Sequence, residues 1–273
     1  MYDIVLTWNG MNLCIKTDSY DMYQGLTVIF HSIVTDTIKS VCVVVTCNED
    51  TYFWIMNGSD FKVKGFSLAI NMLVSEIINY FVVNSNNLCF LHGGAIINEF
   101  GEVSMFLGQS KSGKSSLISK LIYDYEYDFL CDEVLAIDLC EKKVVPFQRS
   151  LCLRRETVDF LGIDYHSLYS LKTIDDEIVY YVVPTMLSQK KFFNVQKIKN
   201  LIFPSFSNLN NIEVCKKIDA FKKVITNSVN LISSTSKYID KLIEMVKKTK
   251  CHNVQFDSIK QGIEEFLSID ERE

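Results

Sequence analysis

The chain has 273 residues and a mass of 31.4 kDa, with 48% apolar, 22% charged and 12% aromatic residues. That balance excludes a disordered or collagen-like chain, a coiled coil and a disulfide-stapled mini-protein, and leaves room for a large core in one or two domains. Net charge is −5, from 28 basic and 33 acidic residues, so the total does not describe a polyanion binder and no nucleic-acid partner is expected.

The first 64 residues read as antiparallel β-structure. Asn9-Gly10 separates residues 4–8 from 11–16, and Asn57-Gly58 follows residues 52–56; both are tight-hairpin signals, because Asn and Gly tolerate positive φ. Residues 25–34 and 41–46 read as further strands. Residues 65–83 are long enough to span a bilayer, but Asn71, Ser75, Glu76 and Asn79 form one stripe and Phe66, Ile70, Leu73, Ile77 and Phe81 another. That pattern predicts an amphipathic helix of a soluble protein, with no membrane partner. Asn84-Ser85-Asn86-Asn87 is the polar break that divides the chain: residues 1–87 form a β-rich N-terminal domain closed by the helix, and residues 88–273 a second domain.

Beyond the break, residues 88–91 and 95–98 read as short strands, and 103–107 is an apolar run of the kind buried on both faces. A helix starts near Lys114, with Leu117, Ile118, Leu121 and Ile122 on one face. Residues 129–130 and 134–137 supply strand on either side of Cys131-Asp132-Glu133. Later strands over 179–183 and 201–203 are each stopped by a proline, Pro184 or Pro204. Helices are predicted over 218–231, 237–248 and 259–267, the last behind an Asp257 cap. Nine cysteines without a C-x-x-C pair and four scattered histidines give no zinc framework, and predict reduced thiols in a cytoplasmic protein. No leader-like segment opens the chain.

One motif is sharp. Gly108-Gln109-Ser110-Lys111-Ser112-Gly113-Lys114-Ser115 is an intact G-x-x-x-x-G-K-S, set between an apolar strand and an amphipathic helix, which is the context a phosphate loop needs. Its glycines let the backbone bend, amide N–H groups point inward at the helix start, Lys114 adds charge to the outer phosphates, and the Ser115 hydroxyl suits Mg²⁺. Gly108, Ser110, Lys111, Ser112, Gly113, Lys114, Ser115 and Ser116 are therefore the candidate ATP-binding set. His92-Gly93-Gly94 lies one hairpin upstream, so pairing beside residues 103–107 brings His92 near the phosphates. Asp132-Glu133 comes eighteen residues after Lys114; beside a magnesium nucleotide, one carboxylate can hold the metal and the other accept a proton. Lys142, Lys143, Arg149, Arg154 and Arg155 follow with no acid among them, either a solvated face or a contact for phosphate or an acidic peptide.

Leu91-His92-Gly93, Phe106-Leu107-Gly108 through Ser115, and Cys131-Asp132-Glu133-Val134 resemble the catalytic core of the HPr kinase/phosphorylase family, whose fold is related to phosphoenolpyruvate carboxykinase. The resemblance covers residues 88–150. It implies an α/β (α+β) P-loop core of that type behind a small β-rich domain, and a phosphotransferase using ATP and Mg²⁺. In that reading His92 and Lys114 are catalytic, Asp132 is the base for a serine hydroxyl, Ser115 and Glu133 serve the metal, and Arg149 steadies the transferring group. Glu133 stands where the family usually has aspartate, Lys111 where it has glycine, and no E-I-R-G-type segment follows. The chain is more similar to the HPr-kinase-like tailoring kinases of ribosomally made peptides, including the lasso-peptide type. That implies a Ser/Thr hydroxyl of a small protein or precursor peptide as acceptor, and the wider family implies a homo-oligomer. A nucleotide-gated peptide-binding module and a kinase of small-molecule hydroxyls remain the alternatives.

Overall fold

A computed structural model of the chain describes residues 1–35, 41–85, 87–187, 197–230 and 236–270. Strands β1 (Tyr2–Trp8) and β2 (Met11–Thr17) meet at Asn9-Gly10, and β5 (Thr51–Met56) and β6 (Ser59–Lys64) at Asn57-Gly58; all four turn residues sit at positive φ, as the dipeptides predict. Between these hairpins come α1 (Tyr20–Ile29), β3 (Val34–Thr35) and β4 (Val41–Asn48), and α2 (Phe66–Asn84) follows. The strands pair in the order β3-β1-β2-β4-β5-β6, with β2 and β4 parallel, so the sheet is not wholly antiparallel.

The strand expected over 25–34 is helix at its start. Ser19 caps α1 by accepting the Met22 N–H (3.3 Å), Asp21 sits in the first turn, and Met22, Leu26 and Ile29 are buried at helical spacing. β-branched residues late in that segment favour strand locally, but the cap and the buried stripe decide. In α2, Ala69, Ile70, Leu73, Ile77 and Phe81 are buried, with Phe81 edge-on to Trp8 at 5.9 Å. By length and composition α2 is apolar enough to cross a membrane.

The chain continues through β7 (Leu88–Ile97), β8 (Glu102–Leu107), α3 (Lys114–Asp124), β9 (Asp128–Cys131), β10 (Val134–Asp138) and β11 (Lys143–Val145). Then come β12 (Leu151–Arg154), α4 (Arg155–Leu161), β13 (Tyr169–Lys172) and β14 (Ile178–Val182). The last part holds β15 (Lys197–Phe206), β16 (Asn211–Val214), α5 (Lys217–Thr226), α6 (Ser236–Lys248), β17 (Lys250–Phe256) and α7 (Ile259–Asp270).

Two compact units result: Met1–Ser85 with Gln148–Pro184, and Asn86–Phe147 with Thr185–Glu273. The division expected at 87/88 lies beside the first crossing, but residues 148–184 return to the first unit instead of staying with 88–273. Ser150 explains the return. Its N–H donates to Ile29 O (2.9 Å) and its hydroxyl to Val28 O (2.6 Å), satisfying carbonyls that the end of α1 leaves open. Asn71 of α2 donates to Lys172 O (3.1 Å), and the missing side chain of Gly25 admits the Tyr169 hydroxyl. β12, β14 and β13 form a three-stranded sheet in this unit.

The second unit is built on the path β11-β10-β7-β8-β15-β17-β16, with β9 also paired to β7. β8, β15 and β17 are parallel, β7 antiparallel to β8, and the whole is mixed α/β. α3 and α7 cover one face, where Ile118 reaches Gly94 and Phe106 meets Phe266 at 5.2 Å. α5 lies over the other, with Lys223 above the Phe203 ring.

Two expectations about breakers change. Pro204 lies inside β15; its carbonyl faces Gly108, so the N–H it lacks would point to the side where β8 has already ended. Pro184, by contrast, follows the end of β14. α7 is capped by Ser258, whose hydroxyl accepts the Gln261 N–H (3.3 Å), not by Asp257, which accepts from Asn210. α5 ends at Thr226, and Leu231 at the expected helix end lies outside the described residues.

Candidate functional site

β7 is one continuous strand through His92-Gly93-Gly94, and it organises the site. On one side Gly94 pairs with Phe106 and Gly93 with Leu107, so β8 ends opposite Gly93 and the loop at Gly108 starts beside His92. On the other side Ala95 pairs with Cys131 and His92 with Val134, which sets Asp132-Glu133 opposite Gly94-Gly93. A register shift at Leu130 precedes this point, and at the point itself the ladder gives way to a tight turn: Glu133 has φ +65° and the Val134 N–H donates to Asp132 O (2.9 Å). Bulges and γ-type turns of this kind re-aim side chains at strand edges.

The double glycine makes room for that turn. A Cβ on Gly94 would overlap Ile118 Cδ1 and lie 3.0 Å from Cys131 O and 3.1 Å from Asp132 Oδ1. The Asp132 carboxylate therefore rests against bare β7 backbone, buried, on the face carrying α3. Strand alternation sets half-buried His92 on that same face, and its N–H donates to Asn227 O (2.7 Å).

The loop curls around its own lysine. Lys111 (φ +68°) and Gly113 (φ +92°) bend the backbone, the Ser112 N–H donates to Gln109 O (3.3 Å), and α3 begins with the Leu117 N–H on Gly113 O (2.9 Å). Lys114 is 6% exposed, and its ammonium donates to Gly108 O (2.7 Å), Gln109 O (2.8 Å) and, at 3.5 Å, Ser112 Oγ. Burial pulls its pKa below 10.5, and the nearby Asp132 carboxylate pushes back. Ser110 and Lys111 are exposed, while Ser112, Ser115 and Ser116 are half-buried.

The second unit thus brings together His92, Gly108 to Ser116, Asp132 and Glu133. Arg149 lies in the first unit, buried, near Tyr181, whose hydroxyl burial pushes up and whose pKa Arg149 lowers. The basic run divides likewise. Lys142 pairs with Glu244 (3.1 Å) in the second unit, whereas Arg154 donates twice to Glu177 (3.1 and 2.8 Å) in the first.

Sequence reasoning missed two supports. Residues 227–230 pair along β7, with the Val229 N–H on Phe90 O (2.8 Å) and Asn230 Oδ1 accepting the Phe90 N–H (3.0 Å). Phe206 and Phe256 meet edge to face at 4.8 Å beneath Gly113, where a Cβ would come within 2.9 Å of Phe256 Cζ. Nothing local marks either, since the partners lie fifty or more residues apart in the chain.

The donors suit magnesium. Ser115 lies in the first turn of α3 and Asp132-Glu133 stands opposite Gly94-Gly93, with Asp132 in the field of Lys114, an oxygen set of the kind Mg²⁺ shares with phosphate and water. Among the described residues no three His, Cys, Asp or Glu side chains form a cluster able to hold a metal by themselves.

No protein-family model matches the chain, and no curated protein does. Among solved structures it is similar to the Hpr(Ser) kinase/phosphatase from Coxiella burnetii, at a TM-score of 0.29 and 10% identity, over 67% of this chain and 99% of that one.

Proposed function

We propose that the chain is a phosphotransferase that moves the γ-phosphoryl group of ATP, with Mg²⁺, to a hydroxyl of a small protein or precursor peptide. The observation that carries the reading is the turn at Asp132-Glu133, which faces Gly93-Gly94 and sets a buried carboxylate in the field of Lys114. The order of His-Gly-Gly, loop and Asp-Glu, and its likeness to HPr kinase/phosphorylase motifs, supports the same reading.

In this reading the loop amides from Ser110 to Ser116 cradle the phosphates, and the Lys114 ammonium exchanges the carbonyls of Gly108 and Gln109 for phosphate oxygens. Ser115 and Glu133 would hold Mg²⁺, which would supply charge neutralisation on the phosphates. The acceptor oxygen attacks the γ-phosphorus, the bond to the β–γ bridging oxygen breaks, and Asp132 takes the hydroxyl proton. His92 stabilises charge on the transferring group from the neighbouring strand position.

The test is intact-mass analysis of candidate precursor peptides after incubation with the protein and MgATP, with Lys114→Ala and Asp132→Asn controls. A gain of one phosphate that both substitutions abolish is expected. Phosphoryl transfer that survives both substitutions would refute the assignment.

A further inference from the structure

At the end of the second unit's sheet opposite the phosphate loop is a 520 Å³ cavity that the chemistry above does not use. The turn between β7 and β8, the chain leaving α3 and the last turn of α7 supply its walls, with Glu102 and Lys199 from the starts of β8 and β15. Glu102 opens β8 and Leu107 ends it, so the cavity lies about 17 Å along the strand from the end that leads into the loop. Asn98 shapes the turn. Its Oδ1 accepts the N–H groups of Phe100 (3.1 Å) and Glu102 (2.9 Å), which leaves the Phe100 side chain 76% exposed beside the cavity.

We infer that this cavity binds a guanidinium group, carried either by an arginine residue of a peptide or by a free alkylguanidine. The inference does not depend on the phosphate-loop reading. Four carboxylates line the cavity, Glu99, Glu102, Glu126 and Asp270, against the single ammonium of Lys199. Lys197 comes only within 3.9 Å of Glu102, so the balance stays negative with it included. α3 and α7 both end here, and the C-terminal end of a helix carries partial negative charge. Hydrogen-bonding capacity leans the same way. Lys199 spends donors on Glu102 Oε2 (2.7 Å) and Asp270 O (2.9 Å), and Tyr127 donates to Asp270 Oδ2 (2.6 Å). Behind Asp270, the buried Asn200 donates to Ser104 Oγ (3.1 Å) and Asp270 Oδ1 (2.9 Å), while its own Oδ1 has no hydrogen-bond partner among the described residues. Acceptors therefore outnumber donors, and the complement is a group made of donors alone, an ammonium or a guanidinium. The rings of Phe100, Tyr125 and Tyr127 favour the guanidinium, which is planar, weakly hydrated and stacks on aromatic faces. A bare metal ion does not fit, since among the described residues no three His, Cys, Asp or Glu side chains come together to hold one. The volume lies within the range of small-molecule sites, about 300–1,000 Å³.

Calorimetry with ethylguanidine and with N-acetyl-arginine amide separates the free group from the peptide-borne one. Binding of both assigns the site to the group itself, ethylguanidine alone to a free guanidine, and the arginine amide alone to a peptide residue. N-acetyl-citrulline amide, of the same shape without the charge, should bind about tenfold more weakly than the arginine amide, and N-acetyl-lysine amide should also bind more weakly. Glu99→Gln and Phe100→Ala, both at exposed positions of the turn, should each weaken guanidinium binding by about two- to fivefold, and together by about tenfold, with an unchanged denaturation midpoint. If the turn variants lose their fold, Glu126→Gln on the α3 side decides, with the same two- to fivefold loss expected of about one exposed charge contact. The assignment is overturned if neither guanidine binds, if the citrulline or lysine amide binds as tightly as the arginine amide, or if the folded variants bind as the parent does.

Discussion

Replacing Gly94 by alanine tests the packing that holds Asp132 against β7. The added methyl overlaps Ile118 Cδ1, the far end of a flexible side chain, and meets Cys131 O and Asp132 Oδ1 at 3.0 and 3.1 Å, where only backbone or the site itself can give way. Overpacking a filled core costs about 1–3 kcal/mol. Trimming the first contact with Ile118→Val costs about 0.5–1.5 kcal/mol alone, but in the Gly94→Ala background it should return part of the loss, a coupling of about 1 kcal/mol. The Asp132 contact is untouched by that trim, so phosphoryl transfer should stay depressed in the double variant while stability recovers. Denaturation is best followed by circular dichroism, because both tryptophans, Trp8 and Trp54, lie in the first unit and would report on the wrong part. A Gly94→Ala protein as stable as its parent, or a double variant that regains activity together with stability, would refute this account of the turn.

Affinity for ATP should fall as pH rises toward 10.5, because bound phosphate needs the Lys114 ammonium and burial has lowered its pKa; Asp132→Asn removes the group that pushes it back up, so calorimetry across that range should find the fall at lower pH. An unchanged midpoint would mean that the two groups do not interact. Gly113→Ala places a side chain at φ +92° and against Phe256 Cζ, and should cost about 1–2 kcal/mol from the backbone alone, read as a lower denaturation midpoint. At the far end of the sheet, burial pushes the Glu102 carboxyl up, but hydrogen bonds from Lys199 and Asn98 outweigh it and hold the pKa below 4.5. The stabilisation is present above 4.5 and lost as pH falls through the folded value, so Glu102→Gln should flatten the acid limb of a circular-dichroism titration. Asp270 accepts from Tyr127 (2.6 Å) and Asn200 (2.9 Å) in the same cluster. Asp270→Ala should destabilise by about 1–3 kcal/mol, because it leaves these donors buried without their acceptor.

What the sequence reveals is what local chemistry decides. Asn-Gly pairs announce their hairpins because few residues adopt positive φ, and the loop from Gly108 to Ser115 is legible because glycine, lysine and serine are needed at fixed offsets. His92 could be set beside the loop from the hairpin alone, since a short antiparallel connection leaves little choice of neighbour. α1 is harder to see: its residues 25–29 alternate well enough for strand, and the information lies in Ser19 upstream. Asn227, Phe256 and the return of residues 148–184 could not be read at all, because each depends on partners far away in sequence. The Asp132 turn falls between these cases. Its acidic pair is visible, but the glycines that make space for it are meaningful only once register is known.

The discontinuity of the first unit has a consequence for the order in which the protein emerges during synthesis. The chain crosses between units after residues 85, 147 and 184. The first unit therefore completes only when Pro184 has appeared, by which time β7, β8, β9 and β10 have been made but β15 has not. Until then β8, buried from Val103 to Leu107 in the finished fold, has an open edge awaiting a parallel strand almost a hundred residues downstream. Such an edge is the feature most prone to pair with another copy, and long-range parallel pairing is slow. A nascent chain stalled between residues 147 and 197 holds the whole loop and both carboxylates on a sheet that cannot yet close, so the interval most exposed to misassembly is also the one in which the chemistry-bearing residues are already present.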